Sequence, residues 1–376
     1  MSATIRVLHV YRTYFPDPPG GVAEAARQIC LASAGYGVQN TIYALSPHPE
    51  PAVLYRPEGQ VVRARSWVAP ASCDIGGPTA FLRFADQARN ADVVCYHFPW
   101  PFADLMHWVR RPAVPTVLLY HSDIVRQRGL ARVYAPLMHR TLSSVSVIVA
   151  SSPAYAASSP ILSARRWKDK VRTIPLGIVE VDQGEDTRVL ERLGLGSGQP
   201  YFLFLGALRY YKGLHTLIAA AKRVEAPIII AGSGAQEEAL RCLRMDEDAR
   251  NVLFVGQVSD EEKAALMRHC RAFVLPSHLR SEAYGMVLVE AAMASRPLIC
   301  CEIGSGTSFV NAHGESGLVV PPENEQALAD AMNSLLHDAE LASRLGAGAR
   351  NRYERLFSGD ALGKAYAALF HELAQR

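Results

Sequence analysis

The chain lacks four features that would assign it quickly, and each absence removes a class of protein. There is no C-x2-C pair among its seven cysteines, Cys30, Cys73, Cys95, Cys242, Cys270, Cys300 and Cys301. Their number is odd and several sit in apolar runs, so neither a disulfide framework nor a zinc site is expected, and a reducing compartment suits them. There is no G-x-G-x-x-G, which sets aside the dinucleotide fingerprint. No D-x-D stands at a strand end and no His/Asp cluster has metal-ligand spacing, so no metal is expected. No apolar run reads as a membrane span. The longest uncharged stretch, 141–164, is rich in Ser, Ala and Pro and reads as a helix end, a strand and a loop. The opening "MSATIRVLHVY" is a polar lead into a strand rather than a signal peptide.

What is present describes a globular protein of two ordinary domains: 376 residues, 49% hydrophobic and 20% charged. The net charge of +3 hides an asymmetry. Residues 1–176 hold 19 Lys+Arg against 10 Asp+Glu, a balance of +9, and residues 177–376 hold 20 against 26, a balance of −6. A basic first half suits an anionic membrane surface or a pyrophosphate-linked acceptor. Nucleic acid is not expected, since there is no basic helix or zinc-finger spacing and aromatics do not alternate with basic residues.

Short apolar strands alternate with helical segments in both halves, the rhythm of parallel sheets covered on both faces. In the first half the strands are "IRVLHVY" (5–11), "QNTIYAL" (39–45), "ADVVCYHF" (91–98), "PTVLLYH" (115–121) and "VSVIVAS" (145–151), with 50–90 hard to read. The rhythm restarts after "RTIPLG" (172–177) and a polar stretch, 180–200, read as linker. "YFLFLG" (201–206), "APIIIAG" (226–232), "NVLFVG" (251–256), "AFVLPS" (272–277), "RPLICCE" (296–302) and "SGLVVPP" (316–322) follow. Two doubly wound units imply a cleft lined by strand C-termini and helix N-termini, where open α/β sheets bind ligands.

The segment Ser281-Glu282-Ala283-Tyr284-Gly285-Met286-Val287-Leu288-Val289-Glu290 carries the most chemistry. Glu282 is placed in a strand-to-helix loop and Glu290 about two turns down the helix, so that both carboxylates face one cleft. The amides near Tyr284, Gly285 and Met286 open the helix and suit a phosphate. Carboxylates for hydroxyls beside amides for phosphate suit a nucleotide-sugar. Gly20 and Gly21 follow the first strand and admit a ligand close to the backbone. Arg209 and Lys212, in "LFLGALRYYKG" (203–213), can neutralise a diphosphate. His121, with Ser122 and Asp123, ends a strand, and "EIGSGTSF" (302–309) is either a donor-closing loop or a helix-capping turn.

Together these features resemble the family-4 retaining glycosyltransferases of the GT-B fold over nearly the whole chain. "HVYRTYFPDPPGG", "YHFPWPFADLMH", "YHSDIV", "LRYYKGLHTLI", "PSHLRSEAYG" and "CEIGSGTSF" look like the mannosyl- and D-rhamnosyltransferases of O-antigen or common-antigen synthesis. The resemblance implies two Rossmann-like domains facing a central cleft. Residues 1–178 would bind acceptor, joined by a final helix at about 358–376, and 179–357 would bind the nucleotide-sugar. It implies a GDP-mannose or GDP-D-rhamnose donor, no cofactor, and an acceptor glycan on polyprenyl pyrophosphate at the cytoplasmic face of the inner membrane. The linkage implied is alpha, with alpha-1,3 resting on resemblance only.

By the same resemblance, Glu282 would hold sugar hydroxyls, Glu290 the ribose, His121 the sugar near its 6-position, and Arg209, Lys212 and the amides near Gly285 the diphosphate. One position departs from the pattern: many family members carry an arginine where Ala207 stands, and Arg209 is expected to supply that guanidinium. Two basic groups in the first half are candidates for anionic lipid, Arg126, Arg128, Arg132, His139 and Arg140, and then Arg165, Arg166, Trp167, Lys168 and Lys170. The alternatives are a UDP-sugar donor on the same fold, or a non-catalytic glycan-binding or scaffold subunit, which Ala207 alone favours.

Overall fold

The computed structural model describes residues 4–18, 20–70, 73–124, 128–181, 184–196 and 198–376. They form two compact units, one of residues 1–179 with 358–376 and the other of 180–357.

In the first unit the strands are β1 (Ile5–Val10), β2 (Val38–Ser46), β3 (Val53–Arg56), β4 (Gly59–Val68), β5 (Ile75–Gly76), β6 (Val93–Phe98), β7 (Thr116–Tyr120), β8 (Val147–Ala150) and β9 (Val171–Thr173). Their order is β3-β4-β2-β1-β6-β7-β8-β9, with β5 on β4. From β4 to β9 every pairing along this path is parallel. β6, β7 and β8 are buried at every residue, as strands covered on both faces must be. The stretch 50–90, illegible in sequence, adds an antiparallel edge. β3 turns into β4 at Gly59, β5 pairs back on β4, and the helix Pro78–Arg89 follows. Its residues alternate in exposure because β3 lies at the sheet edge, which blurs the apolar signal.

The second unit has β10 (Phe202–Leu205), β11 (Ile228–Ala231), β12 (Val252–Gly256), β13 (Ala272–Leu275), β14 (Leu298–Cys301) and β15 (Gly317–Val320), all parallel in the order β12-β11-β10-β13-β14-β15. The stretch read as linker holds a short helix, Arg188–Arg192, whose Arg192 pairs with Glu262 at 2.8 Å. Strand order reverses between β10 and β13 here and between β1 and β6 in the first unit. These reversals leave a crevice at the strand C-termini, since the following loops run to opposite faces.

The final helix, Gly359–Ala374, packs in the first unit against the helix Gly21–Ala34. A Cβ on Gly363 would come within 2.3 Å of the Ala32 carbonyl oxygen, so the two helices meet at backbone distance. Arg172 ties the same helix down through Glu372 at 2.5 and 2.8 Å. Among the described residues no helix is long and apolar enough to cross a membrane. Cys30, Cys95, Cys270, Cys300 and Cys301 are buried thiols.

Candidate active site

The switch point of the second unit gathers the loop after β10 and the loop after β13. The first contains Arg209 and a single 3-10 turn, Tyr210–Lys212, closed by Gly213 at φ 68°. A Cβ on Gly213 would lie 2.0 Å from the Pro276 carbonyl oxygen, so the loops touch where only glycine fits. The His278 amide donates to the Tyr211 carbonyl at 3.1 Å and fastens them again.

This contact sets Lys212 against Glu282. The Lys212 Nζ lies 2.5 Å from Glu282 Oε2, and Ser277 Oγ donates to the same oxygen at 3.3 Å. Both residues are 9% exposed. Burial works against the Lys212 ammonium, but the adjacent Glu282 more than offsets it and the pKa lies above its ordinary value. The ammonium is therefore kept charged, and the pair leaves Glu282 Oε1 and the remaining ammonium protons for a ligand. Arg209 is exposed, one residue before the turn, close enough that its charge opposes that of Lys212.

The helix after β13 begins at Met286, with Gly285 as its cap at φ 82° and ψ 62°. This corrects the sequence reading of Glu290. The left-handed glycine breaks the helical path, so residues 282–285 do not share the helix's rotation and Glu290 sits one turn into it, not two. The two carboxylates hold different lysines, since Glu290 pairs with Lys263 at 3.0 Å. The amides of Met286 and Val287 have no acceptor within the helix, the arrangement that suits an anion, whereas the Leu288 amide already donates to the Gly285 carbonyl at 2.8 Å. Ser281 and Met286 are half-buried and Tyr284 is buried. The Ala283 carbonyl accepts from the Gly306 amide at 2.8 Å, and Arg280 donates to the Gly304 carbonyl at 3.0 Å. These bonds tie the 302–306 loop, which leads into the helix Thr307–Val310, to the 280–285 loop.

In the first unit Gly20 caps the helix that begins at Gly21, with an ordinary extended φ of −119°. A Cβ on either glycine would meet nothing within 4 Å, so neither backbone conformation nor packing requires glycine there. His121 stands just past β7, buried, with its amide bonded to the Phe98 carbonyl at 3.2 Å. Its Nε2 lies 2.9 Å from His97 Nδ1, and His97 Nε2 lies 3.1 Å from His9 Nδ1. Sequence reasoning missed His9 and His97, although "LHV", "YHF" and "LYH" place a histidine near the end of three strands. It also missed Lys263 and Ser277, which carry no local motif.

The two basic groups meet each other. Arg166 bonds His139 at 2.9 Å, His139 stacks on buried Trp167, and Arg140 lies 4.0 Å over Trp108. Lys170 donates to the Val145 carbonyl at 2.9 Å, a helix-end contact. Arg126 lies outside the described residues. Among the described residues two groups have ligand atoms within 4.8 Å of one another, His9 with Cys95 and His97, and His215 with His278 and Glu323. Each draws on separate strands and loops, so no sequence spacing announced it.

Burial holds the His9, His107 and His121 pKa values down to about 4, and His97 well below the ordinary value. Between about pH 6.5 and 4 the unfolded chain therefore binds protons that the folded unit refuses, and stability falls as pH falls through that window. Asp104, pushed up to about 7 by burial, and Asp74, also raised by burial, act in the opposite sense, but these two carboxyls are outnumbered by five imidazoles, since burial lowers His139 as well. All four tryptophans, Trp67, Trp100, Trp108 and Trp167, lie in the first unit. The urea midpoint followed by tryptophan fluorescence is expected to drop steadily from pH 7 to pH 5; a flat or rising midpoint would contradict the buried neutral histidines.

Known proteins are similar to this chain in sequence and in fold. Residues 186–352 match the family described as glycosyl transferases group 1, and 20–177 match a glycosyl transferase 4-like domain. The O-antigen chain mannosyltransferase C of Escherichia coli is 41% identical over 99% of both chains. The D-rhamnosyltransferase WbpZ of Pseudomonas aeruginosa is 42% identical over 94% of this chain and 92% of its own. Among solved structures, a sucrose-phosphate synthase from Thermosynechococcus elongatus superposes with a TM-score of 0.79 at 22% identity, covering 98% of this chain and 99% of that one. At that identity the likeness speaks for the GT-B fold alone.

Proposed function

The chain belongs to the group 1 glycosyltransferases and is a hexosyltransferase, and on that premise we propose that it moves mannose or D-rhamnose from a GDP-sugar to a lipid-linked glycan acceptor, with retention and without a metal. The observation that carries this reading is the buried Lys212–Glu282 pair at the switch point of the second unit. Lys212, with three ammonium donors, faces the diphosphate while keeping Glu282. Arg209 and the amides of Met286 and Val287 add to the charge stabilisation as the diphosphate leaves. Glu282 Oε1 accepts from sugar hydroxyls, and Glu290, held by Lys263, receives the ribose. His121 binds the sugar near its 6-position, and the open space at Gly20 and Gly21 admits the diphosphate. The acceptor hydroxyl attacks from the face the diphosphate leaves, and the departing phosphate oxygen takes its proton.

The first unit binds the acceptor in this reading. Arg132, Arg140, Arg165, Arg166 and Lys168 are exposed, and Val133 beside Arg132 is 82% exposed. That mixture suits a peripheral position on an anionic membrane face, here the cytoplasmic face of the inner membrane. A relative named for the O-antigen chain supports a glycan acceptor, and the two relatives' names support mannose or D-rhamnose as the sugar moved.

Calorimetry with GDP, UDP and ADP, run in parallel with a chelator present, tests the donor. GDP is expected to bind at least tenfold more tightly than the other two. A preference for UDP would overturn the GDP assignment, and binding of none would favour a scaffold role, with Ala207 as its sign.

A further inference from the structure

Asn40, His9, His97 and His121 form one hydrogen-bonded row across four neighbouring strand positions. Asn40 on β2 pairs in register with Val7, His9 on β1 with Cys95, and His97 on β6 with Leu119, two residues before His121. Each step moves one strand across and two residues along. The strand period of two therefore keeps all four side chains on one face of the sheet. Phe370 of the final helix sets its ring edge-on against His9 at 6.0 Å and covers that face. All four residues are buried.

The direction of the row is fixed at one end. The Asn40 amide nitrogen donates to the Cys30 carbonyl at 3.0 Å and to Ser33 Oγ at 3.1 Å, so its Oδ1 is the atom left for His9 Nε2, at 3.2 Å. An oxygen there requires a proton on His9 Nε2, and a neutral ring then has a bare Nδ1. That bare nitrogen requires a proton on His97 Nε2, and the same reasoning passes to His121. The His97 and His121 rings are within 7° of coplanar, the geometry of an in-plane N–H···N bond. Among the described residues nothing donates to His121 Nδ1.

We propose that Asn40, His9 and His97 are positioning residues. The polarity set at Asn40 passes through three rings and holds His121 as the Nε2–H tautomer, so that its Nδ1 always meets the substrate as a hydrogen-bond acceptor. The ligand chemistry it selects is a sugar hydroxyl that donates. A ring free to choose its tautomer would present a donor part of the time. This deepens the role given to His121 above and rests on it.

The test is long-range proton–nitrogen NMR of protein labelled with 15N-histidine, which separates Nε2–H from Nδ1–H rings, with kinetics on Asn40→Leu. In the unaltered protein at pH 7, His9, His97 and His121 are expected as Nε2–H tautomers. Asn40→Leu is expected to give His121 a detectable Nδ1–H population and to lower kcat about ten- to a hundredfold, with GDP affinity unchanged. An Nδ1–H ring at His121 in the unaltered protein would overturn the relay, and this measurement needs no variant that folds. One equivalent of metal bound between His9, His97 and Cys95 would overturn it too, by removing the proton between the rings. Correct tautomers with kcat unaffected by Asn40→Leu would instead sink the role of His121 at the sugar, leaving the row a packing feature.

Discussion

Glu282→Ala is expected to lower kcat about a hundred- to thousandfold, the loss typical of removing one preorganised group from a charge-stabilising site, while GDP binds at least as tightly as before. The two halves of this result follow from one ion pair. Glu282 accepts hydroxyls of the sugar, so its loss removes orientation of the reacting ring. It also neutralises Lys212 at 2.5 Å, so its loss leaves the ammonium with more charge to offer a diphosphate. The same substitution strands a buried cation and is expected to cost the second unit about 3–5 kcal/mol. Glu282→Gln keeps a hydrogen-bonding oxygen and separates the charge effect from the contact effect. Thermal unfolding, GDP calorimetry and single-turnover transfer measure the three quantities independently. A variant that loses GDP affinity in proportion to kcat would show that Glu282 supports the nucleotide and not the sugar.

The second large effect is at Gly213. Gly213→Ala is expected to destabilise the second unit by about 2–4 kcal/mol, through left-handed strain and overlap together. Its φ of 68° disfavours any side chain, and the added Cβ would come within 2.0 Å of the Pro276 oxygen. Relief requires the two loops to part, which displaces Lys212 itself from the place where it would meet the diphosphate, so GDP affinity should fall as well. Gly20→Ala is the control for stability, since its Cβ meets nothing within 4 Å and its φ is ordinary. It should change unfolding by less than about 0.5 kcal/mol while weakening donor binding. A Gly213→Ala protein as stable as the parent would mean that the loops do not touch there.

The features legible in sequence were those built from local patterns. Buried parallel strands announce themselves as continuous apolar runs, and the six of the second unit stand within one or two residues of where those runs lie. Lys212 and Glu282 were legible because each follows such a strand, and strand ends at a reversal of order are where ligands bind. What stayed hidden depends on geometry between distant segments. The reach of Lys212 to Glu282 needs Gly213 and Pro276 in contact, 63 residues apart in number. The helix start at Met286 depends on one left-handed glycine, which a rotation argument carried through residue 282 overlooks. Two histidines on strands and a third just past a strand end look incidental until register places them two residues apart on one face. Lys170 reads as a membrane contact in a basic run, yet it is spent on the carbonyl at a helix end.

The measurement that tests the account most directly is transfer itself: GDP-mannose and GDP-D-rhamnose supplied separately with a polyprenyl-pyrophosphate-linked acceptor and a chelator, and the product's anomeric configuration read by NMR. The account predicts transfer from one of the two GDP-sugars, undiminished by the chelator, with the donor's alpha configuration kept in the product. A beta product, or transfer only from a UDP-sugar or only with added metal, would contradict it.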